Sequence, residues 1–307
     1  MAILILRRSV AAVIVLVLAS IIVFSLSRAS GDPRNLFLTE YTTDEDWEQW
    51  GKDMGLDKPY PVQYLTWASG AIRLDFGKSV KDQIAAVRVV RKKILPTLQL
   101  AVGSFIFAIA VGVPLGIMSA VKRGSVWDLL GRSFALLGQA MPGFWLGIML
   151  ILLFAVKIQI FPTGGKDDIR SIVLPSIALG WFAAAALLRL TRSAMLEVLD
   201  SEFIKLARAK GVSEVRVVWK HAFRNAIVVP LTYAGMFLTA LLTGTVITET
   251  VYAWPGMGRL AVQAVFGTDF PVVSCIVMLA TAGYLLMNLF VDILYGVLDP
   301  RMRSNKG

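Results

Sequence analysis

"ILPTLQLAVGSFIFAIAVGVPLGIMSAV", residues 94–121, runs for 28 residues between Lys93 and Lys122 without a charged side chain. An apolar helix needs roughly 20 residues to cross a hydrocarbon core, and only a helix or a closed barrel satisfies its backbone there. This window is therefore read as a membrane span. Working outward from it, five more uncharged windows recur at residues 9–27, 133–156, 171–188, 225–248 and 270–291. Composition agrees: 56% of the residues are hydrophobic, 17% are charged and the mean hydropathy is +0.68, which places the chain outside the range of soluble domains. The expected fold is an all-α integral membrane protein with six transmembrane helices.

Orientation is read from the basic residues. With the N-terminus inside, the inner segments 1–8, 122–132, 189–224 and 292–307 carry 2, 3, 8 and 3 Lys/Arg, against 3 and 1 on the short outer loops 157–170 and 249–269. This bias predicts both termini in the cytoplasm. Arg91, Lys92 and Lys93 pull the other way, but they close a long loop whose charges count weakly. The first window also has features of a signal peptide, with Arg7 and Arg8 before it and Ser27-Arg28-Ala29 after it, although its apolar run exceeds the usual core of about 7–15 residues. The expected division is an N-terminal segment and first span at 1–27, an extracytoplasmic loop subdomain at 28–93, and a five-helix core at 94–307. In the loop subdomain, acidic residues at 44–48, several Trp and Tyr, and Pro59 and Pro61 predict order.

Several chemistries are disfavoured. The net charge of +10 is what inner loops facing anionic headgroups require, and no nucleic-acid partner is expected. One cysteine, Cys275, and one histidine, His221, supply neither a disulfide nor a metal cluster. "FGKS" at 76–79 ends like a phosphate-binding loop, but the glycine required at its start is Ile72. No serine-nucleophile elbow occurs, so no catalytic residue is assigned. The windows hold no Asp, Glu, Lys, Arg or His, which argues against a proton or ion relay within them. Thr232, Gly235, Thr239 and Thr243 share one face of the fifth window. That face suits either close packing or a path lining. Gly112 and Gly116 suit packing.

The inner segment 189–224 holds eight basic and four acidic residues and is longer than a connection requires. "SEFIKLARAK" predicts a helix, Gly211 interrupts it, and Ser213 is placed to cap a second helix with Glu214 in its first turn. In that helix Val215, Val218, Trp219, Ala222 and Phe223 form an apolar face, and Arg216, Lys220 and Arg224 a basic one. Such a corner fits a membrane surface or a groove in a cytoplasmic protein.

The stretch "EFIKLARAKGVSEVRVVWKHAFRNAIVVP" (202–230) resembles the EAA-type coupling loop of ABC-importer permeases in its dipeptide/oligopeptide form. Ala207 and Gly211 fit the general pattern; Lys205 stands where the usual Glu would be, leaving an acidic role to Glu202. "GLDKPYPVQYLTW" (55–67), "VPLGIMSAVKRGSVWD" (113–128), "MPGFWLGIMLILLFAV" (141–156), "TETVYAWPGMGRL" (248–260) and "NLFVDILYGVLDPR" (288–301) resemble the same group. The resemblance implies half of a translocation pathway for di- or oligopeptides, with glutathione and nickel chelates as alternatives carried by similar permeases, paired with a second homologous permease subunit in a bacterial inner membrane. It further implies two cytoplasmic ABC ATPase subunits carrying ATP and Mg, an extracytoplasmic solute-binding protein, and no cofactor on this chain. Under it, Glu202, Lys205, Ala207, Arg208, Ala209, Gly211 and Ser213 contact the ATPase, and Thr232, Thr239 and Thr243 line the path. The alternative is a secondary transporter or channel with an amphipathic belt helix.

Overall fold

The computed structural model describes residues 2–29, 34, 43–53, 55–241 and 245–298. Among these no strand forms, only a single antiparallel bridge between Lys78 and Ala85. Four helical stretches are continuous, apolar and long enough to cross a membrane: Leu6–Ala29, Ala86–Val121, Ile169–Leu199 and Phe270–Ile293. Two bent pairs, Val126–Ala140 with Gly143–Lys157 and Glu214–Ala226 with Val228–Leu241, bring the number to six if each pair is one span. The chain divides into two compact units, Met1–Pro96 with Gly256–Gly307, and Thr97–Pro255.

The first unit holds α1 (Ala2–Ala29), α2 (Asp44–Asp53), α3 (Tyr60–Ile72), the opening turns of α4 (Ala86–Val121), α13 (Met257–Phe266) and α14 (Phe270–Leu298). The segment read as an ordered subdomain contributes α2 and α3. Pro59 and Pro61 start α3, where a missing N–H costs nothing. On α1, Phe24 is buried among the rings of Tyr60, Tyr64 and Trp67, while Ser20 and Ser25 hydrogen-bond the Tyr64 and Tyr60 hydroxyls at 2.8 and 2.9 Å. A second cluster joins Phe76, Val89 and Val90 to Val272, Cys275 and Ile276. Asp269, expected in a solvent-facing loop, is buried. Its carboxylate accepts from the Ser79 hydroxyl and from the Lys81 and Val272 backbone N–H groups, so it caps α14 and ties down the turn before α4.

The second unit is built around α7 (Val173–Leu199), whose Ala183–Leu188 stretch is buried on every side. α4 lies against it through glycines. A Cβ on Gly112 would stand 2.5 Å from the Ala184 carbonyl oxygen, one on Gly116 2.7 Å from that of Leu188, and one on Gly180 2.6 Å from that of Ser104. This is the close approach that small residues permit where no hydrophobic effect drives helices together.

The third window departs from the sequence expectation. In place of one continuous helix at 133–156 there are α5 (Val126–Ala140) and α6 (Gly143–Leu150), the latter continuing as a π-helix over Ile151–Lys157, with 109° between the two arms. The cause is local: Met141 precedes Pro142, proline disfavours the α region for the residue before it, and Met141 is extended at φ −86°, ψ 125°. α7 also runs past the expected end of the fourth window at residue 188. It carries Arg189 and Arg192 inside the helix, where the first donates to Gln139 and the second pairs with Asp128. The fifth window resolves into α11 (Val228–Leu241) and, beyond residues 242–244, α12 (Val246–Val251). Glu249, placed by the sequence in an outer loop, is fully buried there and accepts a 2.7 Å hydrogen bond from Thr97.

Candidate functional site

The corner foreseen around Gly211 is built from α8 (Glu202–Ala209), a tight turn, a short α9 (Glu214–Arg216), a π-helical stretch at Val217–Phe223 and α10 (Arg224–Ala226). Gly211 adopts φ +78°, with its N–H bonded to the Arg208 carbonyl at 2.9 Å and the Val212 N–H to the Ala207 carbonyl at 3.2 Å. This is a Schellman closure, which needs a left-handed residue after the helix and so selects glycine. Among the described residues nothing lies within 4 Å of where a Gly211 Cβ would sit. Across the turn, Arg208 donates two hydrogen bonds to Glu214, at 2.8 and 3.2 Å, and Lys205 pairs with Glu202 at 2.8 Å. Both pairs are exposed, so they orient the corner more than they stabilise it. Ser213 stands at the N-cap position, but its side chain makes no capping bond there.

The amphipathic face is shifted from the one the sequence predicts. Val215 and Trp219 are 72% and 53% exposed, while Val217, Val218 and Ala222 are buried. An ideal 3.6-residue period puts Val215 with Val218, Trp219 and Ala222. Val217 stands two residues after Val215, on the opposite side of the helix, and it is Val217's side that packs inward, with the wider π-helical turn that follows keeping Ala222 on that side. The buried side joins Ile117 and Ala120 of α4, Met195 and Leu199 of α7 and Ile204 of α8 in one cluster. The corner is thus an extension of the core of its unit. Its outer side presents Phe203, Leu206, Val215 and Trp219 among Lys205, Arg208, Glu214 and Lys220. Ala207 is half-buried and Ala209 exposed.

Behind the corner lies a buried charge cluster that the sequence reading missed. Asp128, in the first turn of α5, has a side chain 3% exposed. It accepts from the Ser119 hydroxyl at 2.6 Å, from the Gly124 N–H at 3.1 Å, and from Arg192 Nε and one terminal nitrogen at 2.8 and 3.1 Å; Arg132 approaches to 3.7 Å. Arg192 Nε also reaches Ser119 at 3.1 Å. The only hint in the sequence is the spacing of Ser125 and Asp128, a helix-start pattern that says nothing of Arg192.

The three threonines assigned to a path part company. Thr232 is exposed, with its hydroxyl bonded back to the Val228 carbonyl. Thr239 is 5% exposed and donates to the Gly235 carbonyl at 3.2 Å, a packed arrangement within this chain. Thr243 lies outside the described residues.

Comparison with known proteins bears on this architecture. Residues 112–304 match the family model described as binding-protein-dependent transport system inner membrane component, and residues 1–88 match the model of its N-terminal region. The chain is 39% identical over 285 residues to the dipeptide transport system permease protein DppB of Escherichia coli (strain K12), covering 83% of this chain and 84% of that protein. It is 37% identical over 309 residues to a putative peptide transport system permease protein of Brucella abortus (strain 2308), covering 98% of each. In fold it is similar to a chain of the inward-facing MetNI methionine ABC transporter, with a TM-score of 0.58 at 20% identity, over 69% of this chain and 97% of that one. The helical architecture, the spans and the family match over most of the chain lead to one conclusion: the protein belongs to the family of binding-protein-dependent transport system inner membrane components.

Proposed function

We propose that the chain is the permease subunit of an ATP-driven ABC importer for di- or oligopeptides. The observation that carries this reading is the corner at 202–223: its inner side is welded into the core, and its outer side offers apolar and charged groups around an open glycine. The apolar residues left outside, Phe203, Leu206, Val215 and Trp219, alternate with Lys205, Arg208, Glu214 and Lys220, a mixed surface that suits a groove in a protein. The relatives named for dipeptide and peptide transport support the substrate class.

In this reading the corner, with Glu202, Lys205, Ala207, Arg208, Ala209, Gly211 and Ser213, docks in a groove of one of two cytoplasmic ATPase subunits, which carry the ATP and Mg. A second homologous permease completes the pathway, and an extracytoplasmic binding protein delivers the solute above residues 28–93. Both termini face the cytoplasm of a bacterial inner membrane. Thr232 contributes a neutral hydrogen-bonding group to the path, whereas Thr239 serves packing.

Gly211→Val tests the docking role. A β-branched residue held at positive φ costs roughly 1–3 kcal/mol, enough to deplete the native corner about tenfold at 1.4 kcal/mol. The subunit should reach the membrane normally, with ATPase association or uptake in liposomes reduced by about that factor. Gly211→Asn, which tolerates the left-handed region, should retain more function. Uptake and hydrolysis near wild type for Gly211→Val would sink the reading.

A further inference from the structure

We propose that Asp128 and Arg192 are positioning residues: they form a strut that makes the end of α4, the start of α5 and the last turns of α7 move as one body with the corner. The proposal rests on the reading of that corner as the ATPase contact. Three features point to it. Arg192 lies on α7 two turns before Leu199, and α8 follows after only Asp200 and Ser201, so a displacement of α8 reaches Arg192 through a two-residue link and the last two turns of α7. The Asp128 carboxylate is held by donors from α4, from the turn at Gly124 and from α7 at once. Arg192 grips both of its oxygens, a forked geometry that resists sliding and rotation where a lone point contact would not.

The surroundings are consistent with a rigid joint. A Cβ on Gly131 of α5 would lie 3.1 Å from Ser119, and one on Gly116 would lie 2.7 Å from the Thr191 side chain, so the three helices touch with no slack around the pair. Arg123 of the same turn reaches Asp200, at the end of α7, across 3.6 Å. Burying a charge pair is a poor way to gain stability compared with apolar packing, and its better-attested use is to specify one geometry. Here the geometry specified is the orientation of α4 and α5 relative to the helix that carries the corner.

The test uses the assembled transporter in liposomes with a dipeptide as probe, measuring uptake and ATP hydrolysis together. Asp128→Asn keeps shape and removes the charge that Arg192 grips. Assembly and basal hydrolysis should stay near wild type, while the peptide imported per ATP falls by about tenfold or more, because the neutral amide offers Arg192 no charged fork to hold. Asp128→Glu keeps the charge and should recover part of that ratio. A merely structural role would lower yield, uptake and hydrolysis together and leave the ratio unchanged, and that result overturns the proposal. Should Asp128→Asn not assemble, an unchanged ratio in Asp128→Glu and Arg192→Lys does the same. The underlying reading is tested separately by cross-linking Trp219→Cys to the ATPase subunit: without a cross-link both readings fall, and with one an unchanged ratio removes the strut alone.

Discussion

Replacing Gly112 by alanine isolates the packing between α4 and α7. The added Cβ would meet the Ala184 carbonyl oxygen at 2.5 Å and the Leu187 Cβ at 2.8 Å. A relaxed carbon–oxygen contact needs roughly 3.3–3.6 Å, so the helices must part by about 1 Å, because a backbone carbonyl inside a helix has no rotamer to give way. Gly116 and Gly180 sit on the same seam, so the gap would also loosen contacts there. Overpacking of this kind costs about 1–3 kcal/mol. Alanine also favours helix over glycine by about 1 kcal/mol, which would blur a single measurement. Gly283→Ala, within α14 and with nothing among the described residues within 4 Å of its Cβ, carries that propensity gain without the clash. The two variants then differ by the overpacking cost, which at about 2–4 °C per kcal/mol separates their melting midpoints by roughly 2–12 °C. The assay is thermal unfolding of the purified protein in detergent, followed by tryptophan fluorescence. A midpoint for Gly112→Ala at or above that of Gly283→Ala would show that α4 and α7 do not meet through glycine.

Two further expectations concern sidedness and the path. In a Cys275→Ala background, cysteine at Asp46 should react with an impermeant thiol reagent on intact cells and cysteine at Glu214 should not; the reverse pattern would invert the proposed topology. Cysteine at Thr232 should react with small permeant reagents in a manner that changes with nucleotide state, whereas cysteine at Thr239 should stay inert, and equal reactivity at both positions would contradict the packed placement of Thr239.

The sequence by itself determined the class of the protein, because the physics involved is local and additive. Uncharged windows must be helical in lipid wherever they occur, and Gly211 between two helix-forming runs announces a left-handed turn whatever surrounds it. Resemblance to a permease family was equally legible, because its motifs are carried by residue identity. Tertiary structure decided what depends on partners distant in the chain. Asp128 and Arg192 fell in separate inner segments of the sequence until 64 positions of separation closed to 2.8 Å. Glu249 and Asp269 read as outer-loop carboxylates, and their donors Thr97 and Ser79 lie 152 and 190 positions away. The face of the corner belongs to the same class, since the side of Val217, not that of Val215, packs inward, and the π-helical turn after it keeps Ala222 there. Hydrophobic periodicity assumes one helical pitch, and where long-range packing sets the pitch, the period in the sequence no longer says which residues are buried.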